Sequence, residues 1–125
     1  MKIAFIVDPL DGFNLKKDTT SAIMREAAAR GHALYAMQQD DLAWHKQAII
    51  GHASRLHLTG EVPAWYRLDA PADTPLEQFD VVLMRKDPPF DIEFLNATLL
   101  LSRAEAEGAR VINDPQALRD HNEKL

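Results

Sequence analysis

Cysteine is absent from the 125 residues. That excludes disulfides and thiol chemistry within the chain, and it is compatible with a reducing, cytoplasmic setting. No apolar run approaches the ~20 residues of a membrane-spanning helix, and no signal peptide precedes Lys2, so no membrane partner is expected. Lys and Arg form no stripe and the net charge is −5, which argues against a nucleic-acid binder. The first apolar run is not followed by G-x-G-x-x-G, and no G-x-x-x-x-G-K-[ST] occurs. No Ser/His/Asp or Cys/His arrangement can be argued from spacing. His45, His52 and His57 lack a zinc spacing and have no cysteine to support them, so they read as ordinary strand or surface histidines and no metal site is expected. Repeats and low-complexity segments are missing as well. What is present is a chain of ordinary globular composition, long enough for one domain with a real core.

The most informative stretch runs from Asp80 to Asp91. Val81 to Met84 is a short apolar run, as in a strand covered on both faces. Pro88 and Pro89 stiffen the loop after it, and each biases the residue before it toward extended geometry. Asp91 stands where a helix N-cap belongs. Arg85, Lys86 and Asp87 are thus expected on a stiff loop at the carboxyl end of a strand, where open α/β sheets bind ligands. Read as a plain crossover, the same loop would only carry solvated charges.

Lys2 to Val7 is apolar almost throughout and reads as a central strand ending at Asp8-Pro9. The loop from Leu10 to Lys17 is long against the usual βα length of about 2–6 residues, and long loops at strand ends tend to be functional. Asp18 suits an N-cap, and the free N–H groups and hydroxyls of Thr19, Thr20 and Ser21 could hold a carboxylate or phosphate. The helix is expected to run to about Arg30 and stop at Gly31, with Ile23, Ala27 and Ala28 facing inward. His32 to Met37 is the next strand, which makes a parallel βαβ unit.

From Asp40 to Leu68 the pattern changes to short runs separated by turn residues, among them Gly51 and Thr59-Gly60. A β-hairpin or meander added to the sheet, outside the core, is expected. Thr74-Pro75-Leu76-Glu77 fits a capping box with proline at N1, so a short helix should end near Gln78. The helix from Ile92 to Gly108 is apolar around much of its circumference, which suits cover by the sheet and by a subunit partner, or simply a wide core face. Arg110 to Ile112 is a third parallel strand, and Asn113-Asp114-Pro115 opens a further short helix. The abrupt close at Leu118 to Leu125 reads as an excised domain. A phosphoacceptor receiver fold is disfavoured, because Arg85 stands where the acceptor aspartate would be. From the residues alone the reading is a small-ligand-binding α/β domain, one half of a composite site.

Four stretches carry a resemblance: Phe5 to Pro9, Asn14 to Thr20, Leu83 to Asp91 and Leu118 to Leu125. Their order and content, above all Arg-Lys-Asp-Pro-Pro-Phe-Asp followed by Asn-Glu-Lys-Leu, resemble the N-terminal domain of bacterial glutathione synthetase. Residues 40–75 match poorly, as a variable β insertion would. The resemblance implies a Rossmann-like, three-layer pre-ATP-grasp domain over residues 1–121, with a mostly parallel sheet and a β-hairpin or meander insertion. Residues 122–125 would begin the ATP-grasp domain. It implies an ATP- and Mg2+-dependent ligase that joins γ-glutamylcysteine to glycine by way of a cysteinyl acyl phosphate. The catalytic groups, nucleotide and magnesium would be held by the remainder, leaving this chain inactive alone. Arg85 would pair with a substrate carboxylate, Asn14, Lys17, Asp18 and Thr19 would line the same cleft, and Lys124 would reach toward the nucleotide phosphates. A cytoplasmic homo-oligomer is implied. A stand-alone ligand-binding or oligomerisation module of the same fold is the competing expectation.

Overall fold

A computed structural model describes residues 1–12, 19–46, 48–60, 65–85 and 92–112. Among these the chain runs β1 (Lys2–Ile6), α1 (Thr19–Ala29), β2 (Ala33–Met37), β3 (Leu42–His45), β4 (Ala48–Leu58), β5 (Tyr66–Leu68), β6 (Ala72–Pro75), β7 (Val81–Met84), α2 (Ile92–Ala106) and β8 (Val111–Ile112). Short 3₁₀ turns occupy Leu10–Gly12, Gln39–Asp41 and Leu76–Gln78.

β1 is the strand on which the fold turns, and its sequence explains why. Residues along a strand alternate between faces, so an all-apolar strand must be covered on both. Ile3, Phe5 and Val7 join Met24 and Ala27 of α1, while Ala4 and Ile6 join Ala97, Leu101 and Ala104 of α2. Parallel ladders bind β1 to β2 on one edge and to β7 on the other, and β7 in turn pairs with β8. The βαβ expectation over residues 2–37 therefore holds.

Both helices end where the sequence places their glycines. Gly31 and Gly108 adopt φ of 84° and 109°, a left-handed geometry that costs an L-residue roughly 1–2 kcal/mol. The bonds that close the ends match: His32 N–H donates to Ala27 O and Ala109 N–H to Ala104 O. The inward stripe of α1 departs from expectation in one place, since Met24 is buried and Ala28 is exposed.

The sheet is mixed rather than mostly parallel, which corrects the expectation. Its order is β3-β4-β2-β1-β7-β8, with β5 and β6 also paired to β4. Every ladder of β4 is antiparallel. Its first half, residues 48–53, meets β3 and β6, and its second half, residues 54–58, meets β2 and β5. The inserted region is also no appendage. Leu42, Ile49 and Ala53 lie in the same buried cluster as α2, and Leu56 lies in the α1 cluster. Gly51 is a mid-strand residue rather than a turn, paired with Leu42 and Thr74, and a Cβ there would stand 2.6 Å from Met37 Sδ and 3.1 Å from Leu76 Cδ2. Glu107, just past α2, accepts from Ile49 N–H at 2.9 Å, and Arg103 lies over the Trp44 ring at 5.5 Å.

The capping box at Thr74 does not form. Thr74 and Pro75 end β6, Thr74 Oγ1 donates to Ala72 O, and Leu76–Gln78 makes only one 3₁₀ turn. Pairing with β4 carries β6 through Pro75, which takes the N-cap place of that turn and makes no side-chain cap bond.

Candidate functional site

The carboxyl ends of β2, β1 and β7 lie side by side, and the ladder continues one residue past β1 and β7. Val7 N–H donates to Met37 O at 3.0 Å, and Arg85 N–H donates to Ile6 O at 2.9 Å. This fixes the Arg85 Cα beside the end of the central strand. Its half-buried side chain turns toward α1, where Nε donates to Thr20 Oγ1 at 3.2 Å. Thr20 and Ser21 are buried in the first turn of α1, and Arg25 donates to Ser21 Oγ at 2.7 Å. The first turn of the helix and the end of β7 are thus joined by a guanidinium. Nε is committed to Thr20, whereas the two terminal nitrogens form the separate pair of parallel donors that can grip a carboxylate bidentately.

On the opposite flank of the β1 terminus a cleft of about 300 Å³ opens. Asp8, Leu10 and Asp11 form one wall, Met37 and Gln38 the floor, and His52, Ser54 and Tyr66 of the inserted strands the far wall. The lining is about half apolar and half polar, and the carboxylates of Asp8, Asp11 and Asp41 are among its polar groups. Tyr66 Oη donates to Asp11 Oδ1, so the insertion is bonded to the first turn after β1. The Asp11 carboxylate, as acceptor and then through burial and its charge, pushes the Tyr66 phenol above its ordinary value.

Of the residues expected to line the site, the structure brings Arg85 to the carboxyl edge and starts α1 at Thr19. Asn14, Lys17, Asp18 and Lys124 lie outside the described residues, as do Lys86 to Asp91. Sequence reasoning missed Thr20 as the partner of Arg85, and it missed Asp11, His52, Ser54 and Tyr66 as walls of a cleft. The only signal available for Tyr66 was its type: a tyrosine at a packed edge usually finds a partner for its hydroxyl.

Two of the three histidines considered, His52 and His57, have structural partners. His52 Nδ1 lies 2.7 Å from Asp73 Oδ1 and His57 Nε2 lies 2.9 Å from Asp69 Oδ2, both across antiparallel ladders. The His57 bond holds the Asp69 carboxyl below the usual carboxylate range. Among the described residues no three of His, Cys, Asp and Glu gather into a metal-holding group, and no helix is long and apolar enough to cross a membrane. A second, apolar groove of about 400 Å³ lies between β3 and α2, bounded by Trp44, Ile49, Leu99, Leu100 and Arg103.

Comparison with known proteins gives the family. The family described as prokaryotic glutathione synthetase, N-terminal domain, matches residues 1–119. The whole chain is 55% identical to 39% of glutathione synthetase from Ralstonia nicotianae, and 52% identical to 40% of that from Nitrosomonas europaea. It is 42% identical to 40% of the Escherichia coli K12 protein of the same name. The chain thus spans about two fifths of the length of these curated relatives. With nearly all of its residues matched, the chain belongs to the prokaryotic glutathione synthetase N-terminal domain family.

Proposed function

We propose that this chain is the substrate-side domain of a glutathione synthetase, an ATP-dependent ligase that joins γ-glutamylcysteine to glycine. The observation that carries this is Arg85, fixed at the carboxyl edge of the sheet and bridged to the first turn of α1, with a cleft of about 300 Å³ on the other flank of the β1 terminus. In this reading the cysteinyl carboxylate takes a phosphoryl group from ATP, and the glycine amine displaces phosphate from the acyl phosphate to form the amide. The part of this chain is to bind and orient the dipeptide. Arg85 holds a carboxylate that does not react, and Asn14, Lys17, Asp18 and Thr19 complete the wall from the first loop.

ATP and Mg2+ belong, on this proposal, to an ATP-grasp domain beginning at residues 122–125, with Lys124 reaching toward the phosphates. Residues 1–121 are then a Rossmann-like, three-layer pre-ATP-grasp unit, and a helix-derived cluster on each face of β1 supports that description. The enzyme works in the cytoplasm as a homo-oligomer. The groove between Trp44 and Leu99 favours α2 as the subunit contact, since both residues are exposed large hydrophobics.

The test is to assay the full-length protein for ADP release with γ-glutamylcysteine and glycine together and with each omitted. Turnover that requires both amino substrates is expected. Turnover indifferent to γ-glutamylcysteine would remove the reading.

A further inference from the structure

Thr20 stands on the inward stripe of α1, one helical turn before Met24 and two before Ala27, and all three are buried. Met24 and Ala27 join the cluster on one face of β1, whereas Thr20 brings a hydroxyl to the same stripe. Packing alone would be met by a valine of the same outline, and a hydroxyl taken out of water costs free energy unless it is bonded. Here its oxygen accepts from Arg85 Nε at 3.2 Å, across 65 residues of sequence. Both ends of this bond are anchored in regular structure. Thr20 is held by its helix, and its branched side chain is stiff at χ1. Arg85 is held by its backbone N–H, which donates to Ile6 O at 2.9 Å.

Arginine is among the side chains with most rotamer freedom to lose when they grip a ligand. In Arg85 the backbone is fixed at one end and Nε at the other, so much of that freedom is gone before a ligand arrives, which favours binding. The bond also selects the edge on offer. A guanidinium can take a carboxylate side-on, through Nε and one terminal nitrogen, or end-on, through both terminal nitrogens. With Nε on Thr20, the end-on pair is the one presented. We infer that Thr20 is a positioning residue for the dipeptide: by holding Nε it aims the two terminal nitrogens of Arg85 at the substrate carboxylate. Thr20 needs no contact with the dipeptide to do this. This inference rests on the site reading proposed above and adds the residue through which Arg85 is oriented.

The experiment is steady-state kinetics of the full-length protein with Thr20→Val, Thr20→Ser, Arg85→Ala and the double variant of Thr20→Val with Arg85→Ala. Thr20→Val keeps the buried shape and removes the acceptor. It is expected to raise the KM for γ-glutamylcysteine by about two- to tenfold, the range of one lost hydrogen bond, with kcat and the KM for ATP nearly unchanged. Thr20→Ser keeps the hydroxyl and should hold the dipeptide KM close to that of the unsubstituted protein, although it loses a buried methyl. The double variant should be no worse than Arg85→Ala alone, because Thr20 acts only through that guanidinium. A loss in Thr20→Ser equal to that in Thr20→Val, an equal rise in the KM for ATP, or a further loss in the double variant would mean a merely structural role and overturn the inference. A dipeptide KM moved by Arg85→Ala but not by Thr20→Val overturns the positioning role and leaves the site reading standing. A dipeptide KM indifferent to Arg85→Ala overturns both.

Discussion

The parallel ladders around β1 and the antiparallel ladders around β4 solve the same problem in different ways. β1 is apolar on both faces and short, and two crossovers cover it, α1 between β1 and β2 on one face and α2 between β7 and β8 on the other. β4 is 11 residues long, carries Arg55 and two histidines, and takes four partners by handing over from one pair to the next along its length. The first arrangement leaves three strand ends aligned at one edge, where Arg85 sits. The second supplies a wall beside that edge and a hydroxyl that reaches it. A sheet built from both can keep its carboxyl edge open while bracing it from the side.

That comparison can be broken most directly in the core. If the insertion is as integral as the parallel strands, Ile49→Ala should destabilise the chain about as much as Leu101→Ala, each by about 2–5 kcal/mol in chemical denaturation. Both side chains are essentially buried in one cluster. A cost below about 1 kcal/mol for Ile49→Ala, within the range of ordinary surface substitutions or slightly above it, would return the insertion to the periphery.

Smaller effects sharpen it. Gly51→Ala should cost about 1–3 kcal/mol by overpacking, since the added methyl meets Met37 and Leu76. A neutral result would mean that β4 lies farther from the floor of the cleft. Gly31→Ala should cost about 1–2 kcal/mol by a different route, the left-handed φ at a helix end with open space around it. Shortening the Met37 side chain should therefore rescue Gly51→Ala and leave Gly31→Ala unchanged.

The smallest effect is electrostatic and belongs to the insertion alone. His57 and Arg67 both contact the Asp69 carboxylate, which titrates below its ordinary range, chiefly through the His57 bond. A carboxyl depressed in the folded state stabilises above its unfolded value, and that contribution disappears as pH falls through the folded one. The denaturation midpoint of Asp69→Asn should therefore lie slightly below that of the unsubstituted chain at neutral pH and converge with it in acid. Midpoints that separate further in acid would reverse the assignment.

Local chemistry explains which parts of this were legible in the sequence. The β1–α1–β2 unit and both helix ends follow from apolar runs and from single glycines, features that act within a few residues. The role of Gly51 was not legible, because its reason lies in Met37 and Leu76 rather than in its neighbours in the chain. Seen only locally, it split β4 into two short runs and moved the insertion out of the core. The capping box at Thr74 failed for the same cause: a ladder partner 23 residues away overrode a four-residue pattern. Arg85 could be placed at a strand end from its flanking valines and prolines. Its bond to Thr20, across 65 residues, and that of Tyr66 to Asp11 belong to the fold and leave no mark on spacing.

The central claim is that the carboxyl edge of this domain holds the dipeptide and not the nucleotide. The most direct measurement is the KM of the full-length protein for γ-glutamylcysteine and for ATP, with and without Arg85→Ala. Loss of a hydrogen-bonded ion pair should raise the dipeptide KM by about ten- to a hundredfold, while the KM for ATP stays within about twofold. An unchanged dipeptide KM, or a rise confined to ATP, would contradict the account.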